Sequence, residues 1–195
     1  YTYAGADYIA AGNSSFTSSL AILDAGEGND TIQAQRGSYQ IYGGDGDDDA
    51  SMNSVSATIF GGTGNDTVSV NVVNGTGFVY IDGEDGDDVI SVGYSNNTVF
   101  GGAGRDIING GAYADTLYGG IGNDQIAGGA GGDLIMGTTS YITNYEDGND
   151  YLSGGDGNDI IRGQGGNDTI NGDNGNDSIS GDFGDDLING WEGND

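Results

Sequence analysis

The sequence predicts an all-β fold, a parallel β-roll of short strands and tight turns stacked as a solenoid. Three observations predict it. A nine-residue unit, Gly-Gly-x-Gly-(Asn/Asp)-Asp-x-aliphatic-x, recurs in register over most of the chain. Its eighth place is β-branched or Leu in nearly every copy, which marks an inward-pointing strand position. Early copies start 18 residues apart and later ones 9 apart, so one coil is two nonamers, each a turn and a short strand.

Taken in order, Gly5-Ala6-Asp7-Tyr8-Ile9 is a weak first copy. Motif-bearing nonamers start at Ala25, Gly43, Gly61 and Gly83, with eighth-place residues Ile32, Ala50, Val68 and Ile90. The intervening stretches 34–42, 52–60 and 92–100 lack the turn yet keep Ile41, Ile59 and Val99. Segment 70–82 is four residues longer than a half-coil and contains Asn74-Gly75-Thr76-Gly77, a looped-out turn. From 101 to 136 four nonamers follow without a gap, 110–118 being degenerate in its turn. Segment 137–144 reads as a half-coil one residue short, and a new copy starts at Tyr145. Four more start at Gly154, Gly163, Gly172 and Gly181. Residues 1–100 are therefore expected to carry the motif on one side of each coil and 101–195 on both, within one continuous solenoid. The chain neither starts with Met nor shows a signal sequence, and it stops inside a repeat at Asp195, so it is expected to be a fragment of a longer protein.

Composition narrows the chemistry. There are 31 acidic residues against 3 basic ones (Arg36, Arg105 and Arg162), for a formal net charge of −28. Such a surface repels nucleic acid and anionic lipid, and no apolar run is long enough to span a membrane. The 42 glycines on their own would suit a disordered acidic linker, and the periodicity decides against that. Without His or Cys there is no hydrolytic triad, no His-Glu-x-x-His site and no zinc–thiolate site. Paired acids are everywhere, so no pair is diagnostic of glycoside chemistry, and no catalytic residue is assigned.

The first six places of the unit carry the chemistry. Gly and Asn tolerate positive φ, which lets the loop turn its carbonyls toward a common centre. The sixth place reads Asp30, Asp48, Asp66, Asp88, Asp106, Asp115, Asp124, Asp133, Asp150, Asp159, Asp168, Asp177 and Asp186. Coils stacked at a strand spacing of ~4.8 Å put these carboxylates in columns. Two of them about 5 Å apart repel by ~3 kcal/mol at an effective dielectric of ~20, and a divalent cation between them reverses the sign. A flexible loop offering only oxygen donors suits calcium. One buried aliphatic per nonamer does not offset the ordering of nine glycine-rich residues, so several Ca2+ ions and the fold are expected to form together.

The unit resembles the nonapeptide of the RTX (repeats-in-toxin, haemolysin-type) family over about residues 24–195. The resemblance implies a right-handed roll with calcium lodged between loops of successive coils. Carbonyls of places one, three and five of one loop would join carbonyls of places two and four and the Asp of the next. Gly43, Asp45 and Asp47 would then face Gly62, Gly64 and Asp66, and Gly154, Asp156 and Asn158 would face Asp173, Gly175 and Asp177. The same correspondence brings in Gly44, Gly46, Gly61, Thr63, Asn65, Gly102, Gly104, Gly120, Gly122, Gly129, Gly131 and Gly148. Toward the C-terminus it adds Gly163, Gly165, Gly166, Asn167 and Gly184. One column is expected through Asp30, Asp48, Asp66, Asp88, Asp106 and Asp124, resuming at Asp159, and a second from Asp115 to Asp186. Arg105 in a fifth place, Tyr113 and Ala114 in the 110–115 loop, and the 137–144 segment are expected to weaken their sites.

Other features have plainer readings. Asp45, Asp47, Asp49 and Asp85 are expected as solvated side chains that tune affinity. Tyr39, Tyr42, Tyr80, Tyr94, Tyr118, Tyr141 and Tyr151 fall on strand places, where packing is favoured over stacking on carbohydrate. The Asn-Asp-Thr triplets match a glycosylation sequon that the repeat generates by itself. The third places, among them Thr63, Ala103 and Ile121, form no regular row of the kind ice binding needs. The resemblance implies a calcium-binding structural module of a secreted or cell-surface bacterial protein. The alternatives are a surface-layer or adhesin segment touching other copies or cell-surface polysaccharide, and an accessory domain of an exported enzyme or toxin.

Overall fold

The structure is a computed structural model that describes residues 3–11, 20–54, 56–72, 77–138 and 148–195. Twenty strands and no helix are found among them. Strands alternate between two ten-stranded sheets, one running from Tyr3–Ala4 to Ser178–Phe183 and the other from Tyr8–Ala11 to Leu187–Asn189. Every neighbouring pair is parallel, and strands next in sequence lie in opposite sheets. That is a β-roll, in which the chain closes one coil before pairing with itself.

The register repeats at 18 residues. Ile41 lies against Ile59 and Val99 against Leu117 in the first sheet, and Ile90 against Ile108 in the second. At Ala57↔Val79 the step grows by the four residues the sequence shows as extra. The core of that extension, Asn74–Thr76, lies outside the described residues.

One segment differs from its sequence reading. Gln125 pairs with Tyr151 and Leu134 with Ile160, a step of 26 rather than 18, so the chain here gains eight residues and no half-coil. Gly137 itself takes the first place of the turn that Asp150 completes: its amide donates to Arg162 and its carbonyl accepts from Gly120. The insertion therefore sits inside a turn. Copy 145–153 begins in effect at Gly137, and residues 139–147 lie outside the described residues.

Alternation along each strand builds the core. Eighth-place residues from Ile32 to Ile170 point inward and are buried, most of them completely, as two facing ladders. The N-terminal coils bury more than these. Ala34, Met52, Val70, Val72 and Val92 extend one ladder, and Tyr39, Ala57 and Val79 fill the opposite corner. Among the described residues, coils beyond residue 100 bury no large apolar side chain apart from their ladder residues, and the rest of their interior is chiefly the sixth-place acids.

The outward faces differ. On the first sheet Tyr42, Phe60, Tyr80, Phe100 and Tyr118 form a continuous aromatic ladder with centroid separations of 5.3, 6.1, 5.6 and 4.7 Å. Asp82 occupies the register position between Phe60 and Phe100, and Tyr80, two residues earlier on the same face, supplies the ring while its hydroxyl donates to Asp82. The end pairs stack nearly flat, at 10° and 5°, so their ring faces are spent on each other. This is strand packing. Tyr94 and Tyr151 stay exposed, and Tyr141 lies outside the described residues. On the second sheet the equivalent row reads Gln33, Ser51, Ser69, Ser91 and Asn109.

Candidate metal centre

The turns that end at Asp30, Asp48, Asp66, Asp88, Asp106, Asp115, Asp124, Asp133, Asp159, Asp168, Asp177 and Asp186 each carry two residues of left-handed backbone, at places two and four. Gly44 and Gly46 have φ of +116° and +129°, and Gly62 and Gly64 +119° and +122°. Only glycine reaches these values without strain. Where another residue stands at place two, as with Glu84, Gln164 and Asp173, φ falls to 72–78°, the part of the region an L side chain can occupy. Tyr113 does the same at place four, with φ of 79°, so the 110–115 loop keeps its turn despite its substitutions.

Two side-chain ladders bind coil to coil, and they run in opposite directions. At place six the backbone N–H of each residue donates to Oδ1 of the acid one coil later. Asp30 donates to Asp48 and Asp48 to Asp66 at 2.8 Å, Asp66 to Asp88 at 2.7 Å, and Asp88 to Asp106 at 2.9 Å. At place five the N–H donates to the acid or amide one coil earlier. Asn65 donates to Asp47 and Asp87 to Asn65, both at 2.8 Å. The fifth-place Asn suits positive φ, yet no described fifth-place Asn adopts it. What the place needs is a short acceptor. Arg105 keeps the ladder through its own amide, 2.8 Å from Asp87, and ends it for the next coil. Asp47 also accepts from Asn29, and Asp45 accepts from Thr63, so both acids tie surface coils together.

The place-six ladder identifies the columns. The first runs Asp7, Asp30, Asp48, Asp66, Asp88, Asp106, Asp124, Asp150, Asp168, Asp186. The second runs Asn97, Asp115, Asp133, Asp159, Asp177, Asp195. Asp159 and Asp186 thus exchange columns relative to the sequence expectation, because the eight inserted residues do not turn the chain through half a coil. Asp7 and Asp195, absent from the expected set, join at the two ends.

Each acid uses one oxygen for the ladder. The other, Oδ2, is buried and has no hydrogen-bond partner at Asp30, Asp48, Asp66, Asp88, Asp106, Asp115, Asp133, Asp159 and Asp177. From Asp48 onward it lies beside the first-place glycine of its own loop and the first-place carbonyl of the next coil. A Cβ on Gly43 would strike both Asp48 Oδ2 and the Gly61 carbonyl, and one on Gly61 would strike Asp66 Oδ2 and the Gly83 carbonyl. The third-place carbonyl of Thr63 accepts the Gly46 N–H at 2.7 Å and keeps a second lone pair.

Burial, against the pull of the ladder N–H, lifts the pKa of these acids. Asp88 and Asp115 rise to about 7, and Asp66, Asp106 and Asp159 to about 6. Neighbouring rungs add to the rise, Asp106 and Asp66 at Asp88 and Asp133 at Asp115. Burial also raises Asp48 and Asp133. A cation against Oδ2 answers both the desolvation and the repulsion. Among the described residues no three acids converge on one point. The donor set is one carboxylate per rung plus backbone carbonyls, all hard oxygen, which fits calcium.

A parallel solenoid whose turns carry two columns of buried, half-satisfied carboxylates defines a cation-binding β-roll. A model of the RTX calcium-binding nonapeptide repeat matches residues 22–50, 57–71, 75–108, 100–135, 146–179 and 163–195, and the chain belongs to that family. No curated protein matches the chain.

Proposed function

We propose that the chain is a calcium-dependent structural module of a secreted or cell-surface bacterial protein, ordered by Ca2+ after export. The buried Oδ2 atoms carry this reading, since each needs a positive charge that only 3 basic residues in the chain cannot supply. Ions would lie between successive loops. Carbonyls of places one and three face the preceding coil, Asp45 accepting from Gly28 and Thr63 from Gly46. Gly44, Gly46 and Asp48 would therefore meet Gly61, Thr63 and Asn65 in the first column, and Gly155, Gly157 and Asp159 would meet Gly172, Asn174 and Asn176 in the second. That is the reverse of the pairing the resemblance implies. Extracellular modules bind calcium at ~10⁻⁴–10⁻³ M, so a low-calcium cytosol leaves the chain unfolded and passable through a secretion channel. The role is mechanical and no chemical step is assigned to these residues. Removing calcium with EDTA is expected to abolish the far-UV strand spectrum, and restoring it to regain the spectrum. A strand signal unchanged through chelation would defeat the proposal.

A further inference from the structure

The sixth-place row of the second column changes character along the roll. Tyr39, Ala57 and Val79 stand in register at 18- and 22-residue steps, then Asn97, then Asp115, Asp133, Asp159 and Asp177. All are buried, from 7 % exposed at Tyr39 to none at Val79. An apolar row thus abuts a row of carboxylates, and Asn97 is the rung between them.

Asn97 and Ser95, 2 % and 1 % exposed, are fully satisfied by hydrogen bonds. The Asn97 backbone N–H donates to Asp115 Oδ1 at 2.7 Å, and its Nδ2 donates to the same oxygen at 2.8 Å. The second Nδ2 hydrogen goes to the Ser95 carbonyl at 2.8 Å, and Asn97 Oδ1 accepts the Ser95 hydroxyl at 2.5 Å. At Asp48, Asp66, Asp88, Asp106, Asp133, Asp159 and Asp177 the rung's Oδ1 receives one backbone N–H, and at Asp115 it receives two donors. The loop beneath differs as well. No residue from 92 to 97 is left-handed, whereas the loops of this column that end at Asp115, Asp133, Asp159 and Asp177 have two such residues each, so the 92–97 carbonyls are not turned as theirs are.

We propose that Ser95 and Asn97 form a metal-free terminator of the second column. The neutral Asn97 side chain puts no carboxylate at this boundary and gives Asp115 Oδ1 a second donor, while Asp115 Oδ2 lies toward the Gly128 carbonyl of the next coil. The boundary between rungs 97 and 115 takes no ion, and the coils before it need calcium along one side only, their other corner being held by Tyr39, Ala57 and Val79. This inference rests on the calcium reading above, and its test separates the two.

Asn97→Asp is nearly isosteric. It removes the Nδ2 donor and sets a second carboxylate one rung from Asp115 with no left-handed loop to hold an ion. At saturating calcium the variant is expected to melt roughly 5–10 °C below the parent chain and to hold the same number of ions by native mass spectrometry. Asp115→Asn in the same chain removes the repulsion and is expected to recover most of that loss. Ser95→Ala, a milder change, is expected to lower the melting temperature by a few degrees. One extra ion on Asn97→Asp, an unchanged melting temperature, or an equal loss with and without Asp115 overturns the proposal. Should Asn97→Asp never fold, the double variant must fold, and its failure is equally decisive. A parent chain that folds in EDTA and holds no calcium defeats the calcium reading alone, because the Asn97–Asp115 coupling is then read in melts without metal.

Discussion

Gly62→Ala is expected to prevent the calcium-loaded roll from closing at its third motif-bearing coil. At φ +119° an L side chain is strained wherever it stands, and strain of that kind costs about 1–3 kcal/mol. Here the added Cβ would also land on the carbonyl, carbon and nitrogen of Gly44 in the preceding coil. Neither backbone has room to withdraw, because Gly44 and Gly62 are register partners in a parallel ladder. Each coil contacts only its neighbours, so one broken joint divides the solenoid into two shorter stacks. Circular dichroism in excess calcium, compared with the parent chain, reads the loss. Gly132→Ala is the control. Its φ lies outside the left-handed range, its nearest neighbour for a new Cβ is the Asn158 carbonyl at 3.3 Å, and it is expected to fold. Equal strand content in both variants would refute the argument from close approach.

Acid is expected to replace part of the calcium. Asp88 and Asp115 titrate near 7 and Asp66, Asp106 and Asp159 near 6 in the metal-free fold, against 3.8 for the free side chain. The folded state therefore holds these protons more tightly than the unfolded chain does. The stability they contribute is fully present below about pH 4 and is lost as the pH rises through 6 to 7. With no metal present, strand content should rise as the pH is lowered from 8 to 5. Calcium reverses the dependence, since it binds the carboxylate and must displace the proton. The calcium concentration at half-folding should therefore climb as the pH falls over the same interval. A metal-free chain equally unfolded at pH 8 and pH 5 would show that buried charge is not what opposes the fold.

Much of this was legible in the residues. The spacing of 18 and the aliphatic eighth place specify a two-sheet roll, and the register agrees from Ile32 to Ile170. The sixth-place acids identify the columns until Asp124. Beyond it the sequence misleads, because eight inserted residues are nearly a nonamer and read as a half-coil one residue short. Only the pairing of Gln125 with Tyr151 shows that the chain returns to the same side. At the fifth place Asn suits left-handed backbone and also supplies a short acceptor, and only the ladder from Asn65 to Asp47 and from Asp87 to Asn65 shows that the acceptor is what matters. The apolar corner of the early coils was open to view. Tyr39 and Ala57 stand six places into half-coils that lack the turn motif, and Asn97 stands at the same place where their row ends.

The opposed place-five and place-six ladders have a consequence for how such a chain can change length. Every joint between ordinary coils is the same joint, so duplicating or deleting a whole coil restores each donor to an equivalent acceptor. Half a coil is another matter. Nine residues gained or lost upstream would carry the aromatic strip onto the face now lined by Ser51, Ser69 and Ser91 and set apolar corners against acid ones. The unit of drift for this molecule is the full turn, and even that fails at the step at Asn97 and above Arg105.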